Sequence, residues 1–138
     1  MGDSGNWACK LPIVRKVAAQ RLAFGWASVV VDAAGLAIVD KQQDIIPASE
    51  LERAAYAYVE TSRDAGEQHE RRGVGTLVES VVMTREKRAA MGLDEAGPTG
   101  WWVGFRLHDD ATWARVESGE LAELSIAGRS RRDALPAP

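Results

Sequence analysis

Four stretches rich in β-branched and aromatic residues constrain the fold of this 138-residue chain most. They cover residues 14–31, 69–84, 100–107 and 121–127. Such side chains favour strands, and the alternation of apolar and polar residues over 69–84 is typical of half-buried strands. The helical segments are few and lie between the strands. The sequence therefore predicts an α+β, mainly β fold, a small and mostly antiparallel β-barrel with a few surrounding helices.

One segment has a different period and is predicted to be an amphipathic helix over Ser49–Asp64. Ser49 and Glu52 have the spacing of a capping box, in which each side chain accepts from a backbone N–H of the first turn. Apolar residues then recur every three or four positions and give one apolar stripe. Gly66 is the expected stop, because glycine readily adopts the left-handed conformation that ends many helices. A shorter helix is expected over Ala111–Glu117, with Asp109 or Asp110 as its cap and Gly119 as its end.

Length and composition predict one globular domain over residues 1–138. The net charge of −3 gives no general reason to bind nucleic acid. Cys9 is the only cysteine, which excludes an internal disulfide and fits a reducing compartment. No apolar run reaches the roughly 20 residues needed to cross a bilayer, and the first residues lack a secretory signal pattern. An intracellular, soluble protein without nucleic-acid or membrane partners is expected.

The two ends of the chain are predicted to lie outside the folded core. Residues 1–10 form a leader rich in glycine, serine and aspartate, which favours a flexible segment. Residues 129–138 contain three arginines and end in ALPAP, a composition typical of a disordered tail.

A lone serine in the segment GELAELSIAG is the first candidate for chemistry. Ser125 lies in a predicted apolar strand, where valine or isoleucine would pack better. A small residue that lets a neighbouring strand approach closely is the alternative interpretation. Gly128 would let a substrate carbonyl come near the backbone, and main-chain N–H groups or Arg129 could stabilise an oxyanion. A solvated basic tail is the alternative for Arg129.

His69 and Glu79 are the candidate base and its orienting carboxylate. If Gly73, Val74 and Gly75 form a three-residue hairpin loop, His69 pairs with Glu79, with Cβ atoms about 4.5–5.5 Å apart. A carboxylate there would fix the imidazole tautomer and stabilise the imidazolium. A slip of one residue would abolish the pairing. The alternatives are an exposed histidine in a polar turn and a surface glutamate.

The second histidine, His108, precedes two aspartates, and this is a weak signal for a metal site. A helix cap explains those aspartates without a metal. The sequence also lacks a dinucleotide fingerprint and a Walker motif. Neither a metal nor a cofactor is therefore expected.

Several segments, taken in their order and spacing, resemble a known family. The similarity runs from about residue 24 to residue 128, and its carriers are GWASVVVD, DIIPASELERAAYAYV, GEQH, GTLVESVVMT, GWWVGFRLHDDATWARVESGEL and ELSIAG. They resemble the XkdF-like phage serine proteases, which belong with the prohead (capsid maturation) proteases and are relatives of the herpesvirus assemblin peptidases.

The resemblance implies a herpesvirus-protease-like β-barrel with a serine nucleophile and a histidine base. The family's serine falls on Ser125, its histidine on His69 and the glutamate of its VES element on Glu79. Herpesvirus relatives use a second histidine after the serine, and no histidine follows Ser125 here. Glu79 is preferred as the third member because of the hairpin register, with Asp44 and His108 as alternatives.

The resemblance also implies a function. The protein would be a prohead maturation serine endopeptidase that cleaves scaffold and major capsid proteins, and itself, through an acyl-enzyme. It would act in the host cytoplasm, inside the assembling prohead. Assemblin relatives dimerise, which leaves a homodimer open. The alternatives are a catalytically inactive scaffold-binding module of the same fold, and a metal-dependent hydrolase that uses His69, Glu79 and His108.

Overall fold

A computed structural model describes residues 6–32, 38, 47–67 and 71–129, the side chains of 6–8, 64–67, 71–73 and 127–129 aside. Three strands come first in this part of the chain, and three α-helices then lie between the later strands. In order they are β1 (Asn6–Pro12), β2 (Arg15–Val17), β3 (Leu22–Val31), α1 (Ala48–Thr61), β4 (Asp64–Glu67), β5 (Arg71–Met83), α2 (Arg85–Ala90), β6 (Thr99–Leu107), α3 (Asp110–Ser118) and β7 (Glu123–Arg129). None of the helices in these ranges is long and apolar enough to cross a membrane.

The strands form one antiparallel sheet in the order β1-β7-β4-β5-β6-β3-β2. The α+β, mainly β class is thus confirmed. The sheet curls, because the chain leaves β1 at one edge and enters β2 at the other, with the Val14 N–H donating to the Phe24 carbonyl at 2.9 Å. The predicted closed barrel does not form, since no ladder joins β1 to β2 or β3 within the described residues. Pro12, which has no N–H to donate, lies at this junction.

Alternation along the strands decides which side chains enter the core. Trp101 is buried against Tyr58 of α1, with ring centroids 5.5 Å apart, and its indole N–H donates to Ser80 at 2.9 Å. Trp102 lies on the opposite face, where its ring packs edge-on against Trp26 at 5.2 Å. The buried core is completed by residues of β1, β3, β6, β7 and α1, among them Leu11, Ala23, Val30, Val103, Phe105, Leu124, Ile126 and Leu51.

Helix α1 confirms the predicted amphipathic helix but corrects both of its ends. It begins at Ala48 behind Pro47, which takes the extended cap position, and no side chain caps it. The capping box is wrong because Glu52 instead accepts from the ammonium of Lys87 at 2.8 Å. The helix ends at Thr61, and Gly66, the expected stop, belongs to β4.

Strand β5 corrects the predicted hairpin. The segment Gly73–Gly75 is not a turn, because β5 runs without interruption from Arg71 to Met83. Gly75 serves a different purpose, since a Cβ there would lie 2.9 Å from the Leu107 side chain and 3.1 Å from the Arg106 carbonyl. Its missing side chain lets β5 approach β6. The hairpin lies instead between β4 and β5, where Glu67 pairs with Arg71.

The ends of the chain also differ from the sequence expectation. Residues 6–10, assigned above to a flexible leader, form the first part of β1 and pair with β7. Arg129, assigned to the tail, is the last residue of β7. Residues 130–138 lie outside the described part of the chain.

Helix α3 begins and ends with the caps that the sequence predicts. The Asp109 carboxylate accepts from the backbone N–H of Thr112 at 2.6 Å and from its hydroxyl at 3.0 Å. Gly119 ends the helix with φ of 89°. The loop after α3 returns the chain to β7.

Candidate active site

Ser125 lies in the middle of β7, on the face opposite the core. Its neighbours Leu124 and Ile126 pair with Leu11 and Cys9 of β1 and point into the core. Ser125 alternates with them, yet it is only 5% exposed. The Ser125 side chain is thus nearly buried although it does not point into the hydrophobic core.

Ser125 and Thr112 are the buried polar side chains among the described residues. Thr112 is accounted for by the cap of α3. Ser125 belongs to no helix cap and lines a pocket. A hydroxyl at a buried strand position beside a pocket is consistent with a functional role.

The strands on either side of β7 define what surrounds Ser125. Ser125 has a Cα partner on each side, Lys10 on β1 and Gly66 on β4. Directly opposed residues of an antiparallel pair point to the same face, with Cβ atoms about 4.5–5.5 Å apart. The side chain of Lys10 therefore shares a face with Ser125, while Gly66 presents no side chain there.

A pocket of about 300 Å³ opens beside Ser125. Lys10 and residues 120–125 line it. Two backbone hydrogen bonds hold the pocket loop: the Leu121 N–H donates to the Arg115 carbonyl and the Ile13 N–H donates to the Ala122 carbonyl, both at 2.9 Å. The pocket wall is thus fixed to α3 on one side and to the β1–β2 connection on the other.

Among the described residues, three charged side chains line this pocket: Lys10, Glu120 and Glu123. Glu120 is engaged by Arg115, whose Nε lies 3.1 Å from its carboxylate. Lys10 and Glu123 are farther apart, with 3.9 Å between Nζ and Oε1, and both side chains are largely exposed. A surface pair at this separation contributes little to stability and leaves the ammonium able to change partners.

The structure does not bring Glu79 together with Ser125. Gly66 pairs with Ser125 on one side and with Arg72 of β5 on the other, so Ser125 and Arg72 lie at the same position along the neighbouring strands. Glu79 lies seven residues farther along that strand, on the order of 20 Å away at the rise of an extended chain. It is exposed and pairs with Gly104 of β6. The hairpin register that placed Glu79 opposite His69 is wrong, so the orienting role of Glu79 is implied by the resemblance alone.

His69 and Asp44 lie outside the described residues. Gly128 and Arg129 continue β7 beyond Ser125 and pair with Trp7 and Asn6 of β1. At about 3.3 Å per residue their Cα atoms lie roughly 10 and 13 Å from that of Ser125. Their proposed contribution to an oxyanion site stays a prediction.

His108 directly follows the end of β6. Its Nε2 lies 2.7 Å from the Thr76 hydroxyl, and its backbone N–H donates to the Val74 carbonyl at 3.1 Å. It lines an open pocket of about 430 Å³ together with Arg21 and Arg106. Within the described residues, no three histidine, cysteine or acidic side chains are grouped to hold a metal ion.

Cys9 precedes Lys10 on β1 and faces the core. Burial raises the pKa of its thiol to about 11. Because the thiolate is the reactive form of cysteine, this environment makes Cys9 a poor nucleophile at neutral pH. Ser125 is therefore the better candidate nucleophile of this region.

Comparison with known proteins identifies the family. The family model described as "Putative phage serine protease XkdF" matches residues 10–133. The chain belongs to this family. The matched range of the XkdF family includes β7 with Ser125, the β4–β5 connection and Lys10.

One relative in the curated proteins is uncharacterised protein YqbD of Bacillus subtilis (strain 168), which is 32% identical over 94 residues. The match covers 65% of this chain and 27% of that relative, so the chain spans a minor part of its length. No solved structure matches the chain significantly.

Sequence reasoning missed Lys10 as a residue of this site. It was assigned to the leader, and 115 positions separate it from Ser125 in the chain. The apolar alternation of Cys9 and Leu11 around it is a strand signal, but too short to be distinctive. The pairing of β1 with β7 is what brings the two together.

Proposed function

We propose that this protein is a phage prohead maturation serine endopeptidase. In this proposal it cleaves scaffold and major capsid proteins, and itself, inside the assembling prohead in the host cytoplasm. Ser125 is the nucleophile and His69 the general base. The family assignment supports serine protease chemistry in general, and the substrates are part of the proposal.

The observation that carries the proposal is the pairing of Ser125 with Gly66. Gly66 and His69 are only three positions apart in the sequence. A chain of that length spans at most about 10 Å, so a base supplied by the connection after β4 is compatible with Ser125 as the nucleophile. A nucleophile and a base within mutual reach are the minimum that serine catalysis requires.

The pocket beside Ser125 supports the same proposal. It provides about 300 Å³ next to a hydroxyl that is itself buried. A peptide segment seated there would present its carbonyl to Ser125. Exclusion of water from the hydroxyl would favour attack by serine over direct hydrolysis.

The reaction follows from these roles. Ser125 Oγ attacks the scissile carbonyl carbon while His69 takes the hydroxyl proton, and the carbonyl electron pair moves onto oxygen. The tetrahedral intermediate collapses, the C–N bond breaks, and His69 returns the proton to the leaving amine. Water then attacks the ester with the same base, which releases the acid product and restores Ser125.

Activity-based labelling tests the proposal. The protein and its Ser125→Ala variant would be treated with a fluorophosphonate probe and also co-expressed with the phage scaffold and capsid proteins. Labelling and cleavage, followed by mass spectrometry, should be present in the wild type and lost in the variant, whose thermal unfolding should be unchanged. Retained cleavage in the variant would remove Ser125 from the role. A wild type without labelling or cleavage would favour an inactive assembly module.

A further inference from the structure

We propose that Lys10 stabilises the oxyanion formed when Ser125 attacks its substrate. This inference rests on the proposed function and adds a residue to its catalytic machinery. It starts from the ladder between β1 and β7, in which Lys10 is the direct Cα partner of Ser125. The pair shares one face of the sheet and one pocket.

The reach of the lysine side chain suits this role. The Cβ atoms of opposed residues are about 4.5–5.5 Å apart, and a lysine carries its ammonium on a flexible four-carbon stem. The ammonium can therefore approach an oxygen bonded to the carbon that Ser125 attacks. It needs only a rotamer change, and the backbone of β1 and β7 can stay as it is.

The charges around Lys10 leave it available. The Glu123 carboxylate is 3.9 Å from Nζ, which is a loose and solvent-exposed pair. The other acidic group of the pocket, Glu120, is already engaged by Arg115 at 3.1 Å. Since Glu120 has its own cation, Glu123 is the carboxylate among the described pocket residues that competes with an oxyanion for Lys10.

A role as general base fits the geometry less well. A base must be unprotonated, and lysines that act as bases lose their proton because they are buried. Lys10 is largely exposed, with 60% of its side chain accessible, and it lies near a carboxylate. In the proposed step the Lys10 ammonium stabilises the negative charge that the electron pair brings onto the carbonyl oxygen.

The residues that sequence reasoning assigned to the oxyanion are less favourably placed. Arg129 is four residues beyond Ser125 on the same strand, roughly 13 Å away between Cα atoms. Lys10 is directly beside Ser125 on the neighbouring strand. A cation adjacent to the reacting carbon has a stronger effect than one at several times that separation.

The test measures phosphonylation of Ser125 by a fluorophosphonate, resolved into the saturation constant KI and the limiting rate constant kinact. Lys10→Met should lower kinact about tenfold with KI within about twofold, because a lost oxyanion donor acts on the transition state. Lys10→Arg should restore kinact to within about threefold of wild type. Lys16→Met, which removes an exposed lysine of β2, is the matched control and should behave as wild type.

The outcomes separate this inference from the proposed function. An unchanged kinact in Lys10→Met, with Ser125 still labelled, would overturn the role of Lys10 and leave the peptidase proposal intact. A change confined to KI would assign Lys10 to binding of the probe and also overturn the oxyanion role. A wild-type protein in which Ser125 is not labelled would overturn both. Thermal unfolding of each variant excludes a loss of fold as the cause.

Discussion

Gly66 of β4 is the Cα partner of Ser125 of β7. This single pair connects the candidate nucleophile to the strand that leads into the connection containing His69. It also places a residue without a side chain next to the serine, so no β4 side chain covers Ser125 at that position. The relationship suits a site in which the base comes from the β4–β5 connection.

Activity should depend on pH through a histidine. If His69 is the base, the labelling rate should rise with pH as an imidazole with an ordinary pKa of about 6.5 loses its proton. The reason is that only the neutral ring can accept the serine proton. In His69→Gln this rise of the labelling rate with pH should be absent, and the labelling rate at pH 8 should fall at least a hundredfold. If the labelling rate of that variant still rises with pH in the same range, another group is the base.

Glu79→Gln should leave the labelling rate within about twofold of wild type. The strand register places Glu79 on the order of 20 Å from Ser125, too far for its charge to have a large effect on the reaction in water. The measurement is kinact for the variant beside Glu86→Gln, an exposed glutamate of α2. A tenfold loss specific to Glu79→Gln would restore it as the group that orients His69.

The thiol of Cys9 should make stability depend on pH in alkaline solution. Burial raises its pKa to about 11, above the value of about 8.5 in an unfolded chain. Between these values the unfolded chain loses the proton more readily, so the free energy of unfolding should fall as pH rises from about 8.5 to 11. Denaturant titrations should show a smaller fall in Cys9→Ala. Equal slopes in the two proteins would contradict the burial of the thiol.

Gly25→Ala should destabilise the fold by about 3 kcal/mol. A Cβ at this position would overlap the carbonyl oxygen of Pro12 and lie 2.8 Å from the Leu11 side chain. Because one obstacle is backbone, β1 and β3 would have to separate. Gly92→Ala, where nothing lies within 4 Å but φ is 77°, should cost only about 1 kcal/mol. The free energy of unfolding of both variants would be measured by chemical denaturation. An equal decrease in the two variants would show that the β1–β3 contact is not tight.

Local chemistry explains which elements could be predicted from the sequence. Helix α3 follows from the Asp109 cap and the Gly119 stop, and the amphipathic stripe of α1 follows from its apolar spacing. Both signals act within a few residues. The ends of α1 were predicted less well, because Glu52 bonds to Lys87 of another helix in place of its own first turn. Competition from a distant residue has no local signature.

The β5 register shows the same limit more clearly. Glycines flanking Val74 are typical of a turn, but Gly75 is needed for close approach to Leu107 of β6. The sequence does not distinguish a glycine needed for a turn from one needed for close approach of two strands. Only the position of the neighbouring strand decides between these two roles. The mistaken turn placed Glu79 opposite His69. In the structure Glu79 lies instead far along β5, opposite Gly104 of β6.

By itself the sequence determined that the chain is mainly β and belongs with phage serine proteases, and that Ser125 lies in an apolar strand, because residue types and their spacing carry that information. Only the tertiary structure decided the strand order, the open edge at Pro12, and the placement of Lys10 and Gly66 on either side of Ser125. Pairing between strands far apart in the chain depends on how the whole sheet buries its core, and no short segment encodes it.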